Sequence, residues 1–212
     1  MKRDLPEEGC RTNHTSLNVY RRRQSVRHSG RKGGTGENGL PEPLSFVIFR
    51  AVDIREISET DWAQVWPIVR HVVAAAETFV YDPSMSSAQA WQTWVEAPPG
   101  LTVVALQENR VVGTAKMGPN HQGPGSHVST ASFMVAADAR GHGVGTAMCR
   151  YALAWAKERG YAGMQFNAVA ESNHRAVELY QRHGFTVIGT VPGAFAHPTL
   201  GYVGLHVMYC TF

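Results

Sequence analysis

A strand-like run, a glycine-rich turn and a helical pattern follow one another without a break between Ala131 and Thr146: Ala131-Ser-Phe-Met-Val-Ala-Ala-Asp-Ala-Arg-Gly-His-Gly-Val-Gly-Thr146. No other stretch constrains the fold as much. The apolar run ends at Val135, and the glycines at 141, 143 and 145 let the backbone come close to a ligand. The first N–H groups of the following helix have no partners inside it, and the helix dipole adds partial positive charge at that end. Such a junction can hold phosphate. A helix start that binds nothing is the plainer alternative.

Two phosphate loops fit poorly. A Walker loop needs Gly-Lys-Ser/Thr, and this stretch has no Lys. A dinucleotide fingerprint needs G-x-G-x-x-G and an acid about 20 residues on. Gly141-x-Gly143-x-x-Thr146 nearly fits, but Asn167 stands about where the acid belongs.

The rest of the chain reads as alternating elements. Phe46–Val52 is expected as a first strand. Ser58-Glu-Thr-Asp61 starts a helix running to about Ala76, with a kink or break expected at Pro67. Ser86-x-x-Gln89 has the form of a capping box and opens a short helix carrying Trp91 and Trp94, which Pro98-Pro99-Gly100 stops. Leu101–Leu106 and Val111–Met117 form a hairpin through Glu108-Asn109-Arg110. After the glycine loop, Val144, Ala147, Met148, Tyr151, Ala152 and Trp155 share one helix face, and Gly160 ends the helix. Ala162–Ala168 is a strand, Asn173 opens a helix closed by Gly184, and Phe185–Val191 and Tyr202–Phe212 are strands separated by a loop over Gly193–Gly201. The order β-α-α-β-β-β-α-β-α-β-β predicts an α/β fold, a mixed central sheet of about seven strands with helices on both faces.

Arg140-x-x-Gly143-x-Gly145 resembles the pyrophosphate loop of the GNAT (GCN5-related N-acetyltransferase) superfamily, Gln/Arg-x-x-Gly-x-Gly/Ala. About 30 residues on, Asn173-His-Arg-Ala-Val-Glu-Leu-Tyr180-Gln-Arg-His-Gly184-Phe185 is similar to that family's second signature, Asn-x-x-Ala-x-x-Leu-Tyr-x-x-x-Gly-Phe. The element order is similar too, and the resemblance covers about residues 46–212. Taken singly, Asn173 reads equally as a helix N-cap, Tyr180 as a core aromatic and Gly184 as a helix stop.

The resemblance implies acetyl-CoA as co-substrate, no metal, and a direct transfer to an amine. It implies that Met134 and Val135 offer backbone groups to the pantetheine arm, as an added strand would. Arg140, Gly141, His142, Gly143, Val144, Gly145 and Thr146 would wrap the pyrophosphate, Asn173 would fix the arm, and Tyr180 would protonate the departing thiolate. A backbone N–H at Val135 or its neighbour would stabilise the developing oxyanion. GNAT dimers are common, so the resemblance extends to a homodimer.

Composition narrows the class. The first 45 residues carry nine Lys/Arg against five Asp/Glu and few large apolar side chains; residues 46–212 carry eleven against twelve. The net charge of +3 therefore belongs to a basic N-terminal tail, expected to be disordered, and the resemblance implies an acetyltransferase domain over residues 46–212. A near-neutral domain does not suggest a nucleic-acid surface. Three scattered cysteines and ten unclustered histidines give no disulfide framework or metal site. Without a run of about 18 apolar residues no membrane span is expected, and without a signal-peptide core the location expected is cytoplasmic.

No carboxylate lies between Ser126 and Val135, where many GNATs place their base. A peptide α-amine has a pKa near ~8 and Lys near ~10.4, so deprotonating Lys at neutral pH costs roughly 3 kcal/mol more. An α-amine is the easier acceptor, and His127 and Glu77 are the candidate bases acting through water. Glu77-Thr-Phe-Val-Tyr81-Asp-Pro83, with Trp91 and Trp94, falls where GNATs build the acceptor wall, which makes Tyr81 a candidate substrate contact. Phe166-Asn167-Ala168-Val169, Thr190–Phe195 and Pro119-Asn120…Ser126-His127 resemble the GNAT branch that acetylates proline-like imino acids such as azetidine-2-carboxylate. In that branch the residue matching Asn167, with the next backbone N–H, here Ala168, holds the substrate carboxylate; a second Asn is replaced here by Thr130. Two other functions stay open: acetylation of protein N-termini or lysines, and an acyl-CoA-binding sensor or adaptor without turnover.

Overall fold

The computed structural model describes residues 51–212. The expected basic tail and most of the expected Phe46–Val52 strand lie outside these residues. The first described strand, β1, is Asp53–Glu56.

Arg55 on β1 fixes the start of the first helix. Its guanidinium makes two 2.7 Å bonds to the carboxylate of Asp61, which also accepts from the Ser58 N–H and hydroxyl at 2.7 Å. These bonds close a capping box over a 3₁₀ turn, Glu59–Asp61, that runs into α1, Trp62–Ala74. Of the kink or break expected at Pro67, the break does not occur: α1 runs through it. α1 ends two residues early because Ala76 turns into the left-handed region, φ +51°. α2, Ser87–Trp94, has the expected capping box at Ser86 and Gln89. Trp94 is buried and donates to the Thr114 hydroxyl at 3.0 Å, which pins α2 to the sheet.

β2, Leu101–Gln107, and β3, Arg110–Pro119, pair through a two-residue turn in which Glu108 and Asn109 both have positive φ. β4 is Val128–Val135, α3 Val144–Glu158, β5 Gly163–Ala170 and α4 His174–Arg182. β6, Thr186–His197, and β7, Gly201–Thr211, complete the elements. The loop expected over Gly193–Gly201 is therefore mostly strand. β6 is the outermost strand, so Pro192 needs no ladder donor there, and a bulge between Val191 and Phe195 absorbs Gly193 at φ +61°.

The seven strands run β1-β2-β3-β4-β5-β7-β6. Apolar residues fill both faces. α1 and α2 cover one core with Val65, Val69, Trp94, Val104 and Met134. α3 and α4 cover the other with Met148, Trp155, Met164, Phe166 and Phe185. This is the α/β architecture read from the sequence. Among the described residues no helix is long and apolar enough to cross a membrane, and no three His, Cys, Asp or Glu are grouped to hold a metal.

Candidate active site

β4 and β5 are parallel neighbours, yet they pair only at Val128–Gly163 and Ser129–Met164. Beyond Ser129 they splay apart. The other edge of β4 stays paired with β3 from Ser129 to Val135. Antiparallel pairing sends alternate residues toward each neighbour. Bonds from Asn120 N–H to Val128 O (2.8 Å) and Ala136 N–H to Val112 O (2.9 Å) fix the alternation at both ends. Thr130, Ser132 and Met134 therefore turn their backbone groups to β3, and Ala131, Phe133 and Val135 turn theirs into the splay. Of the two residues expected to offer backbone to a ligand, Val135 faces the gap; Met134 spends its groups on Thr114, and its side chain is buried under α1.

A cleft of about 380 Å³ occupies the gap. Its walls come from the end of α1, the loop at Glu77, Thr78 and Phe79, Ser132–Val135 of β4, Arg140 and Gly145, Ala168–Ala170 of β5, and α4. α3 stands at one end of it. Gly143 caps that helix at φ +82° and Gly141 lies at φ +83°. The first bond into α3 is Ala147 N–H to Gly143 O, 3.0 Å, so the N–H groups of Val144, Gly145 and Thr146 precede the helix ladder. Gly145 lines the cleft; the Val144 side chain is buried in the core, and His142 and Gly141 are exposed. Asn173 accepts from Ala176 N–H at 3.3 Å as the N-cap of α4, and it also lines the cleft.

Tyr180 projects from α4 into this wall. Its ring packs against Phe166 (4.5 Å between centroids), Phe185 (5.9 Å) and Phe133 (6.1 Å). Burial first, and the Cys149 thiol second, raise the phenol above its usual value near 10, so it holds its proton at neutral pH. Among the described residues none hydrogen-bonds its hydroxyl. A fixed ring with a free, protonated hydroxyl can hand a proton to a leaving group.

The candidate bases separate. Glu77 lines the cleft and is exposed there. His127 does not line it; its Nδ1 lies 3.0 Å from Pro124 O in the turn before β4. Ala168 lines the cleft, at a bulge where Asn167 and Ala168 of β5 stand opposite one residue of β7. Asn167 reaches away from the cleft and donates to Asn120 Oδ1 at 2.6 Å. Thr130 lines a neighbouring cavity. Tyr81 stacks on Phe79 at 5.5 Å and Trp91 packs edge-on against Trp62 at 5.1 Å; of Phe79, Tyr81 and Trp91, Phe79 lines the cleft.

Among the lining residues that escaped the sequence reading are Phe133, Ser172 and His197. Ser172 lines the cleft and has a buried hydroxyl with no partner among the described residues. His197, at the end of β6, accepts at Nδ1 from the Thr199 and Leu200 N–H groups, both 3.3 Å. Its neutral ring therefore carries the proton on Nε2. A serine before an N-cap and a histidine in an assumed loop carry no local signal of either role.

Known proteins share this arrangement. The model of the acetyltransferase (GNAT) family matches residues 66–185. This chain belongs to the GNAT family. A GCN5-related N-acetyltransferase from Kribbella flavida is 49% identical with a TM-score of 0.74, over 76% of this chain and 98% of that one. The N-acetyltransferase aca1 of Schizosaccharomyces pombe is 24% identical over 138 residues, 64% of this chain and 66% of that protein's length. The fold also matches yncA from Salmonella typhimurium, solved with its cofactor acetyl-CoA, at 20% identity and a TM-score of 0.64 over 76% of this chain and 94% of that one. The chain is thus an acetyltransferase of the GNAT family, with the sheet and flanking helices of its structural relatives.

Proposed function

We propose that this GNAT enzyme transfers an acetyl group from acetyl-CoA to the amine of a small amino-acid-like or imino-acid-like molecule. The observation that carries this reading is the splay between β4 and β5: one narrow cleft joins a free strand edge, a helix N-terminus, a protonated phenol and a carboxylate.

The chain's groups fit acetyl-CoA. The inward backbone groups of Phe133 and Val135 complement an amide-bearing arm, the orphan Ser172 hydroxyl adds a further polar contact, and the α3 N-terminus with Arg140 suits pyrophosphate. When bound, acetyl-CoA supplies an acetyl thioester open to attack by a neutral amine. The N–C bond forms as the C–S bond breaks. An inward N–H of β4 stabilises the carbonyl oxygen as it gains charge. Tyr180 gives its proton to the departing sulfur, and Glu77 takes the proton of the amine, directly or through water. His197 Nε2–H and the Ala168 bulge present donors to the rest of the acceptor.

The size of the cleft, about 380 Å³, supports a small acceptor over a protein surface. Thiol release from acetyl-CoA across amino acids, imino acids, polyamines, aminoglycosides and peptides tests this. Turnover with free amino or imino acids is the expected result. Turnover with peptides alone overturns the acceptor class, and binding of CoA without turnover on any amine overturns the enzymatic reading.

A further inference from the structure

From 168 to 173 the chain runs along the β5 side of the cleft. Ala168, Val169, Ala170, Ser172 and Asn173 line it, and Glu171 does not. β5 ends at Ala170, where the chain turns toward α4. Asn173 N–H donates to Ala170 O at 2.9 Å and closes that turn, with Glu171 and Ser172 as its central residues.

Glu171 points the other way and ties the turn to β7. Ala170 pairs with Leu205, so Glu171 comes opposite Gly204. Residues opposed in an antiparallel ladder can exchange two N–H···O bonds. One is of the usual kind, Glu171 N–H to Gly204 O at 3.0 Å. The return bond is not: Gly204 N–H donates to the side-chain carboxylate of Glu171. The carboxylate stands in for the main-chain carbonyl, so β5 leaves the ladder while two bonds still hold it. A carboxylate is a strong acceptor for a backbone N–H, and Gly204 is buried, away from competing water. Position 204 has no room for a side chain beside it. A Cβ there would lie 2.8 Å from Glu171 Oε2 and 2.7 Å from Thr190 Cγ2.

The turn carries two polar groups of the cleft. Ser172 brings its buried hydroxyl, and Asn173 lines the cleft while capping α4. A loose turn must be ordered before such groups can bind, and that ordering weakens affinity. The tie to β7 fixes the turn in advance. We infer that Glu171 is a positioning residue for the co-substrate: through Gly204 it holds the turn from which Ser172 and Asn173 meet the pantetheine arm. The inference rests on the proposed placement of acetyl-CoA in the cleft.

Calorimetric binding of CoA, with initial rates against both substrates, tests this. Glu171→Ala takes the acceptor from Gly204 N–H. It should weaken CoA binding and raise KM for acetyl-CoA by about tenfold or more, with KM for the acceptor amine changed less than about twofold. Glu171→Gln keeps a side-chain oxygen within reach and should hold both CoA values within about threefold of wild type. Glu171→Met keeps the length, offers no oxygen, and replaces the alanine variant if that one does not fold. A purely structural tie would lower Tm and leave CoA affinity unchanged well below Tm; that result overturns the inference. Equal weakening by the glutamine and alanine variants, or a matching rise in both KM values, overturns it too. The two readings fail separately. Wild-type turnover with CoA affinity unchanged in Glu171→Ala removes the positioning role alone, whereas the expected loss of CoA affinity with no wild-type turnover on any amine removes the proposed transfer alone. A wild type that binds no CoA overturns both.

Discussion

Asp61→Asn tests how α1 is held, and through α1 the loop that brings Glu77 and Phe79 to the cleft. The Asp61 side chain is 7% exposed and that of Arg55 is 47% exposed. The substitution keeps the shape and removes the charge. It faces an amide donor against one of the two guanidinium bonds and weakens the other. A hydrogen bond to a charged group contributes about 1.5–3 kcal/mol, and breaking a fully buried pair costs about 3–5 kcal/mol. Arg55 regains water on its open side, which lowers the second figure. The loss expected is about 2–3 kcal/mol, or about 4–12 °C in Tm for a domain of this size. Arg55 foremost, then the Ser58 bonds, hold the Asp61 carboxyl well below the usual range despite its burial. A depressed folded value means stability that is complete above the unfolded value near 3.9 and is lost as pH falls toward the folded value. The difference between wild type and variant, measured by urea unfolding from pH 7 to pH 2.5, should therefore be largest at neutral pH and shrink below about pH 4. A difference under about 1 kcal/mol at pH 7, or one that does not shrink in acid, would refute this account of the pair.

Tyr180→Phe should lower kcat by about 10²- to 10⁴-fold with little change in Tm, since the ring contacts remain and the hydroxyl has no protein partner; stopped-flow thiol release checks it. Because the phenol is raised, wild-type activity should show no loss from Tyr180 ionisation up to about pH 10. Gly143→Ala meets no atom within 4 Å, so its cost of about 1–2 kcal/mol should come from φ +82° alone, with KM for acetyl-CoA raised beyond what that destabilisation explains. Ala76→Gly should stabilise the fold by about 0.5–1 kcal/mol by relieving φ +51°, read by thermal unfolding.

Periodicity and punctuation made most of the architecture legible. The heptad-like face of α3, the Ser86 and Ser58 caps and the Glu108-Asn109 turn are local features, and local physics dictates them. What was not legible depends on partners distant in sequence. Pro192 and Gly193 read as a loop, but an outer strand with one neighbour tolerates both. Pro67 read as a possible break, but packing of Val65, Val69 and Val72 against the sheet holds α1 together across it. In the candidate site, the resemblance of two motifs to GNAT signatures marked Arg140, Gly145, Asn173 and Tyr180, all of which line the cleft. Nothing marked Ser172 and His197, because each owes its place to the tertiary arrangement. Asn167 was read as facing a substrate directly; its 47-residue reach to Asn120 is visible only once β3 and β5 stand beside each other.

The two-pair junction between β4 and β5 also bears on how long the enzyme lasts. On one side stand β1 to β4, on the other β5, β7 and β6, and the seam between them is mostly open. On the proposed function, a co-substrate lying along β4 closes that seam and acts as mortar between two slabs. A ligand held at 100 times its Kd adds about 2.7 kcal/mol to the folded state. The lifetime of this protein would then track the supply of acyl-CoA around it: a starved enzyme would be cleared sooner than a working one.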